Sequence, residues 1–382
     1  MRSPVASRLA TRLVAPALGA LTALSLFGLT AQAHATDHSA GHLYVLDNPA
    51  AQNSISVYTR STDGSLRFVN DTPIGGLGTG SPLGSQGSLT RAGDRLFAVD
   101  GGSDQVSVVD IHDGALTPRG VYSSLGALPV SLTTRDGFLY VVNNGSANEP
   151  ANVVGFMVSE SGTLTSIPGA NVPLSAAQPG PAQVAISPDG STLAVTEKST
   201  NRVDTFHVAA NGSLSDRISA PSNAATPFGF SFNPTQPREI IVADAGNGPG
   251  TSAVSAYRVG ERGAIAIGAP VADHQTAACW LVITPNGAFA YATNAGSGTI
   301  SGYRIAPNGH PSLLGANGVT ASTGSTSHPL EMVFSPSGQY LYALDARTQT
   351  LSAFAVAENG ALSPVNLSGI HLQAGAVGLA AD

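Results

Sequence analysis

The sequence predicts an all-β protein, a seven-bladed β-propeller made of four-stranded antiparallel blades. A short apolar triplet that is followed two residues later by Asp, Asn or Glu recurs seven times, at spacings of 43 to 54 residues. An alternating apolar and polar segment follows each triplet and ends in a turn that contains glycine. No segment after residue 35 has sustained helical periodicity. Repeats of this length that supply four strands each are typical of propeller blades.

The apolar triplet predicts the second strand of each blade, which we name strand B. Its copies occupy residues 43–45, 96–98, 139–141, 193–195, 240–242, 290–292 and 341–343. The polar residues that follow are Asp47, Asp100, Asn143, Glu197, Asp244, Asn294 and Asp345. We expect these side chains to bond backbone groups of the next turn, as Asp and Asn commonly do.

The segments on either side of the triplet predict the other three strands. Stretches such as "SISVY" and "TISGYRI" alternate with a period of two and predict strand C. Turns such as "DGSL" and "NGAL" then lead into strand D, since glycine tolerates the positive φ of tight hairpins. Turns such as "SPDG" at Ser187 precede the triplet and place strand A before it.

The register of the repeat predicts how the ring closes. The first complete element is strand B at Leu43, so blade 1 lacks a strand A of its own. The final segment "AGAVGLAAD", residues 374–382, has the pattern of a lone strand A. We expect this strand to complete blade 1, which removes the exposed edges of an open array. The propeller is therefore predicted to span residues 43–382 as a single domain.

The N-terminal 35 residues have the pattern of a secretory signal peptide. They contain three arginines and no acid, then an apolar run, then small-residue sites that end at Ala33 and Ala35. A short polar leader, residues 36–42, is predicted to follow. The protein is thus expected to be exported, to the periplasm or the cell exterior, with no integral membrane segment after cleavage.

Composition excludes several classes of partner. With the three arginines of the signal peptide removed, the chain has 14 basic and 24 acidic residues, and its only lysine is Lys198. This balance argues against nucleic acid and anionic membrane surfaces, which need clustered positive charge. Cys279 is the only cysteine, so no internal disulfide can form. We expect a soluble monomer that is stabilised by burial.

Function on a propeller is expected around the central channel, where the copies of strand A converge. We aligned the seven copies of strand A by the turn that follows each of them. The position four residues before the first residue of this turn differs between blades, and it contains polar, large and small side chains. Along strand A of blades 4 and 7, Gln183 and Glu331 alternate with apolar residues, and these polar side chains are expected to face the channel. The residues at this position are Gln86, Val130, Gln183, Gly229, Trp280, Glu331 and Ala376.

The repeat pattern P-x-x-V-A-x-S-P-D-G, then L-Y-V-x-N, then I-S-x-Y, then G-x-L resembles the seven-bladed propeller lactonases. That family is typified by bacterial 6-phosphogluconolactonase and fungal carboxy-cis,cis-muconate cyclase, and the pattern also resembles propellers built on Tyr-Val-Thr-Asn repeats. The resemblance covers essentially the whole chain after the signal peptide. It implies the propeller fold and lactone chemistry without a cofactor or metal.

The resemblance also implies where the chemistry occurs. The lactonases tend to carry a His-Pro-x-His motif at the entry to strand A, and here "HPLE" has Glu331 in place of the second histidine. We predict His328 and Glu331 as the catalytic pair, with histidine as the base that activates water. Basic loop residues and channel residues are predicted to bind substrate, with Trp280 either flooring the pocket or filling the channel. The predicted substrate-binding residues are Lys198, Arg202, Arg347, Gln183 and Trp280.

Two functions are compatible with these features. The first is hydrolysis or isomerisation of a lactone of a small organic or sugar acid. The alternative is a non-catalytic binding scaffold for a protein partner, favoured by the missing second histidine, because fold alone does not fix function. A separate hypothesis concerns His34, His38 and His42: cleavage after Ala35 would leave Thr36-Asp37-His38 as a terminal set suited to Cu(II) or Ni(II).

Overall fold

The computed structural model describes residues 39–315 and 317–382, and every regular element in this part of the chain is a β-strand. The strands form seven antiparallel sheets, which confirms the predicted seven-bladed propeller. No helix within these residues is long and apolar enough to cross a membrane. The predicted signal peptide and the histidines His34 and His38 lie outside the described residues.

Blades 1 to 4 each contain four strands. In each blade strand A is innermost and strand D is outermost. The strands of blade 1 are β1 (Ser39–Leu46), β2 (Ser54–Ser61), β3 (Leu66–Pro73) and β30 (Gly378–Ala381); of blade 2, β4 (Leu89–Ala92), β5 (Arg95–Asp100), β6 (Gln105–His112) and β7 (Ala115–Ser123); of blade 3, β8 (Pro129–Arg135), β9 (Phe138–Asn143), β10 (Asn152–Val158) and β11 (Leu164–Pro173); of blade 4, β12 (Pro181–Ile186), β13 (Thr192–Glu197), β14 (Arg202–His207) and β15 (Ile218–Pro221).

Blades 5 and 6 have an outermost strand that is interrupted, so each sheet contains five strands. The two pieces pair in succession with the same strand C. The strands of blade 5 are β16 (Pro227–Asn233), β17 (Gln236–Asp244), β18 (Ala253–Gly260), β19 (Gly263–Ala266) and β20 (Val271–Ala272); of blade 6, β21 (Ala278–Ile283), β22 (Phe289–Asn294), β23 (Thr299–Ile305), β24 (Pro311–Leu313) and β25 (Ala321–Ser322); of blade 7, β26 (Pro329–Phe334), β27 (Tyr340–Asp345), β28 (Thr350–Val356) and β29 (Leu362–Val365).

The ring closes through strand β30, as the register of the repeat predicted. Leu43 to Leu46 of β1 pair antiparallel with Ala381 to Gly378, so the final strand becomes strand A of blade 1. The closure is reinforced by Asp382, whose Oδ1 accepts from the His42 backbone N–H at 2.5 Å and whose Oδ2 accepts from the Tyr44 hydroxyl at 2.6 Å. The seven innermost strands contact one another in sequence around the ring.

The boundary of the propeller differs from the predicted one. Strand β1 begins at Ser39 and pairs with β2 through His42, so residues 39–42 are part of blade 1. The sequence pattern places these residues in the polar leader, because Ser39, Ala40, Gly41 and His42 do not show the apolar alternation of a strand. The closing contact with Asp382 supplies the missing reason for strand structure there.

The polar residue after strand B has a repeated structural role that differs from the expected one. In five blades it bonds a serine hydroxyl of strand C rather than the turn backbone. In the strand pairing, this serine lies opposite the strand B residue that is two positions before the polar residue. The serine and the polar residue therefore point to the same face of the sheet. The pairs and their distances are Asp47–Ser56 (2.7 Å), Asp100–Ser107 (2.7 Å), Asp244–Ser255 (2.6 Å), Asn294–Ser301 (2.8 Å) and Asp345–Ser352 (2.7 Å).

The core lies between the blades. Strand B is buried on both faces in every blade, which explains why its triplets are continuously apolar. The aromatic residues of strand C pack against the neighbouring blade. They are Tyr58, Phe156, Phe206, Tyr257, Tyr303 and Phe354, each at most 3% exposed.

Candidate active site

The centre of the channel is filled by polar side chains. The inner edge of each strand A faces the channel, so its backbone groups have no neighbouring strand to pair with. The Gln86 amide spans the channel to Leu281, donating to its carbonyl at 2.8 Å and accepting from its N–H at 2.9 Å. Gln183 accepts from the Phe230 N–H at 2.6 Å, and Glu331 accepts from the Gly87 N–H at 3.0 Å. We name Gln86, Gln183 and Glu331 the central seal.

The chain segment that carries Gln86 ties the seal to other blades. Ser85 donates from its hydroxyl to the Val130 carbonyl of blade 3 at 2.8 Å. The Gln86 N–H donates to the Ala182 carbonyl of blade 4 at 2.8 Å. No side chain fits at Gly229, because a Cβ there would lie 2.0 Å from the Gln86 Oε1. The sequence shows the amide at this position, but not that it would reach the opposite blade.

The channel mouth lies beside the seal, on the face where the D–A and B–C loops meet. It contains an apolar patch of Phe228, Cys279, Trp280 and Ala295, all within one hydrophobic cluster. The Trp280 and Phe228 rings are 4.9 Å apart, and the indole N–H donates to the Ser85 carbonyl at 2.9 Å. Trp280 is only 4% exposed, so it packs the channel wall beneath the mouth.

Lys198 brings a positive charge to this mouth from the B–C loop of blade 4. Its Nζ donates to the Gly84 carbonyl and lies 4.7 Å from the centre of the Phe228 ring. Among the described residues no carboxylate forms an ion pair with it. Burial lowers the pKa of Lys198 to about 8, and the nearby Cys279 acts in the opposite direction. The ammonium is therefore charged at neutral pH and available to an anionic ligand.

His328 lies at the entry to β26, on another side of the same patch. Its ring hydrogen-bonds the backbone of Ala295, while Nδ1 is buried and has no hydrogen-bond partner among the described residues. Burial, assisted by the charge of Arg347, lowers the pKa of His328 below its usual value. The imidazole is therefore neutral at pH 7, with one nitrogen free to accept a proton.

Glu331 lies three residues after His328, within β26, and is 4% exposed. Burial raises its pKa well above the usual range, and the hydrogen bond from the Gly87 N–H opposes this shift. Within the part of the chain that the structure describes, its Oε2 has no hydrogen-bond partner, and no hydrogen bond joins Glu331 to His328. The predicted partnership of the two residues stays a prediction, and the observed contact of Glu331 is with the seal.

The two predicted arginines lie in different places. Arg347 is exposed in the B–C loop of blade 7, close enough to influence His328. Arg202 is on strand C of blade 4, and its Nη1 lies 3.4 Å from Ser219 of the outermost strand, away from the channel. Cys279 is 7% exposed, and burial raises the pKa of its thiol to about 12, so it is not a thiolate.

A concavity opens between blades 2 and 3, on the face opposite to the D–A and B–C loops. It has a volume of about 610 Å³ and is lined by Arg95, Asp110 and Arg119 among others. Asp110 accepts from the Nε atoms of Arg95 and Arg119, each at 2.6 Å, and these contacts lower its pKa. The mouth, by contrast, contains polar atoms that lack partners, which favours it as the reactive site.

Comparison with known proteins places the fold in a family. The family model "Lactonase, 7-bladed beta-propeller" matches residues 86–263 and 262–376. A periplasmic gluconolactonase of Pseudomonas aeruginosa is similar in structure, with a TM-score of 0.69, 18% identity, and coverage of 89% of this chain and 98% of that one. A putative 6-phosphogluconolactonase of Bacteroides fragilis is also similar in structure, with a TM-score of 0.67 and 17% identity. The match covers 91% of this chain and 99% of that one. Comparison with curated proteins gives no significant match. The chain belongs to the lactonase family of seven-bladed β-propellers.

Proposed function

We propose that this protein is an exported lactonase that opens the lactone of a small organic or sugar acid at the channel mouth. The observation that carries the proposal is the placement of an unpaired ammonium, Lys198, and a neutral imidazole, His328, around one apolar patch. Membership of the lactonase family supports the reaction class. A hydrolase needs both a base and a positive partner for the developing oxyanion.

His328 is proposed to act as the general base. Its unprotonated nitrogen takes a proton from water as the water oxygen forms a bond to the lactone carbonyl carbon. The ring C–O bond then breaks, and the imidazolium returns the proton to the leaving alkoxide. The product is the open hydroxy acid, and no other reactant is consumed. The same base could instead move a proton within the substrate, which is the isomerase version of the proposal.

Lys198 is proposed to stabilise negative charge on the substrate. An ammonium that is bonded only to a carbonyl and an aromatic face gains from an anionic partner, because it is partly desolvated. Arg347, exposed beside His328, is placed to contact a carboxylate at the rim. The preferred ligand is therefore a lactone that carries or develops an acid group.

The comparisons guide the choice of substrate. Two similar structures carry the names of a gluconolactonase and a putative 6-phosphogluconolactonase. Phosphorylated sugars are normally cytoplasmic, and the N-terminal pattern predicts export. We therefore propose an unphosphorylated lactone, with aldonolactones as the first candidates.

The test is lactone hydrolysis by the mature protein in a pH-stat. Aldonolactones, muconate-type lactones and acyl-homoserine lactones would be compared, with spontaneous hydrolysis subtracted. We expect turnover of at least one class, a loss of 100-fold or more in kcat for His328→Ala, and a loss of roughly 10-fold or more in kcat/KM for Lys198→Met. Arg202→Met is the matched control, since that side chain bonds only the outer strand.

The outcomes separate the roles of the residues. Turnover that is unchanged in His328→Ala would keep the activity but place the reaction elsewhere. Turnover that is unchanged in Glu331→Gln would assign Glu331 to the seal, whereas a 100-fold loss would support the predicted catalytic pair. Export is tested by fractionation and N-terminal sequencing, with cleavage after Ala33 or Ala35 expected.

A non-catalytic scaffold is the second candidate function. It is supported by the central seal, which closes the channel below the mouth, and by the contact of Glu331 with backbone instead of His328. The absence of turnover on every lactone, combined with capture of a protein partner that an Arg347→Glu variant loses, would favour this reading. In either case we propose that the protein acts as a monomer.

A further inference from the structure

Blade 4 departs from the structural repeat at one position. In five blades the polar residue after strand B bonds a serine on strand C, and blade 3 has Val154 there. In blade 4 the pairing of Val195 with Asp204 places an aspartate at the serine position, facing Glu197. Both side chains are fully buried. A carboxyl therefore replaces a hydroxyl donor, and two acids share the space that elsewhere holds one acid and one alcohol.

Glu197 is the hydrogen-bonded member of the pair. Its Oε1 accepts from the Ser175 N–H at 3.0 Å, and its Oε2 accepts from the hydroxyls of Ser175 and Thr200. Three donors are therefore directed at this one side chain. Ser175 belongs to the D–A loop that enters blade 4, and Thr200 belongs to the B–C loop, so Glu197 joins both loops.

Asp204 has the opposite surroundings. Neither of its oxygens has a hydrogen bond of good geometry to residues 39–315 or 317–382, although the Arg217 Nε lies 3.3 Å from Oδ2. The charged groups that face it are Glu197 on strand B and Arg217 from the segment before β15, with Ser219 as a polar neighbour. Blade 3 presents the Pro173 carbonyl, which binds the Arg217 Nη1 at 2.8 Å. Burial raises the pKa of Asp204, and the neighbouring carboxyl of Glu197 adds to this shift.

We propose that Glu197 and Asp204 share one proton and act as positioning residues that hold Lys198 at the channel mouth. Lys198 directly follows Glu197, so the bonds of Glu197 to Ser175 and Thr200 fix the start of the loop that carries the ammonium. Loss of the shared proton places two like charges in a buried site, which weakens those bonds. Burial raises the pKa of Asp204 to about 7, so the change falls at neutral pH.

The positioning of Lys198 can be measured without any enzyme assay. Lys198 is the only lysine, so reductive ¹³C-methylation labels its Nζ alone besides the N-terminal amine. We expect its ¹³C resonance in the wild type to move between pH 6 and 7.5, before its own titration near pH 8. Asp204→Asn mimics the protonated state and Asp204→Ser restores the repeat, so both should lose this early movement and keep the later one.

Trp280, the only tryptophan, gives a second readout because it packs on Phe228 beside Lys198. Its fluorescence should show the same early step, absent in Asp204→Asn and in Glu197→Gln, and retained in His328→Gln. A wild type without the early movement, or variants that keep it, would overturn the proposal.

The effect on the reaction rests on the proposed function. If lactone turnover exists, KM in the wild type should rise at least threefold from pH 6.5 to pH 7.5 and stay constant in Asp204→Asn. A protein with no turnover but with the early spectroscopic step would refute the proposed function and leave the positioning pair intact.

Discussion

At the scale of single residues, the candidate site depends on two basic groups, Lys198 and His328, whose pKa values are lowered by burial. His328 has a lowered pKa because it is half-buried beside Arg347, and Lys198 has a pKa of about 8 because its ammonium is partly desolvated. The mouth therefore contains an uncharged base and a charged partner in the same pH range. That combination is the one that acid–base catalysis on a neutral ester requires.

These shifts predict the pH profile of turnover. His328 accepts a proton only when it is neutral, so kcat/KM should fall as pH drops through its lowered pKa, below pH 6.5. Lys198 is positive only below its pKa, so kcat/KM should also fall toward pH 8 and above. The measurement is initial hydrolysis rates from pH 5 to pH 9, corrected for spontaneous hydrolysis.

A matched variant identifies the group whose deprotonation lowers kcat/KM at alkaline pH, which is the alkaline limb of the profile. In Lys198→Arg the cation persists at all accessible pH values, so the decline near pH 8 should move upward by at least one pH unit. An unchanged alkaline limb in this variant would assign the decline to another group. An acid limb above pH 7 in the wild type would contradict the neutral state inferred for His328.

At the scale of strands, the sequence predicts the elements well because each one repeats. Period-two alternation and Asp-Gly or Asn-Gly turns determine strands B and C locally, without reference to the rest of the chain. The central seal was not predicted, because Gln86 reaches Leu281 on a blade almost 200 residues away. Asp204 was also missed, since its position looks like an ordinary polar residue of strand C until the blades are aligned by their pairing.

The closing strand gives a prediction at the same scale. Asp382 bonds the His42 N–H and the Tyr44 hydroxyl across the junction between the first and last strands. Asp382→Ala removes two hydrogen bonds to a carboxylate, so the free energy of unfolding should fall by about 2–4 kcal/mol. Urea denaturation followed by Trp280 fluorescence measures this change.

Glu358→Ala, in the exposed C–D turn of blade 7, is the control for charge removal. It should change the free energy of unfolding by less than about 0.5 kcal/mol. Equal stability of Asp382→Ala and the control would mean that the pairing of β30 with β1 closes the ring without the hydrogen bonds of the Asp382 side chain.

At the scale of the whole molecule, burial of the repeated aspartates ties stability to pH. Burial raises the pKa of Asp47, Asp100 and Asp345 to about 6 and that of Asp244 to about 7, although serine hydroxyls oppose the shift. In the unfolded chain these groups lose their protons near pH 4. The folded state thus binds more protons than the unfolded state between about pH 4 and pH 7.

The sign of this linkage makes the protein most stable in mild acid. A group whose pKa is raised by folding adds stability that is complete below its unfolded pKa and is lost as pH rises through its folded pKa. The thermal midpoint at a fixed scan rate should therefore fall by roughly 5–10 °C from pH 5 to pH 8. Differential scanning calorimetry across this range measures it, and a midpoint that rises toward pH 8 would refute the linkage.

The repeat itself supplies the control for this prediction. Blades 3 and 6 have Asn143 and Asn294 at the position of Asp244, and Asn294 bonds the strand C serine as the aspartates do. Asp244→Asn should therefore fold normally, keep a hydrogen bond to Ser255, and remove one titrating group. Its thermal midpoint should equal that of the wild type near pH 5 and exceed it at pH 8, because only the wild type must then carry a buried charge at this site. A midpoint below that of the wild type at pH 8 would mean that the ionised Asp244 stabilises the blade, and would reverse the account of why the polar residue after strand B recurs around the ring.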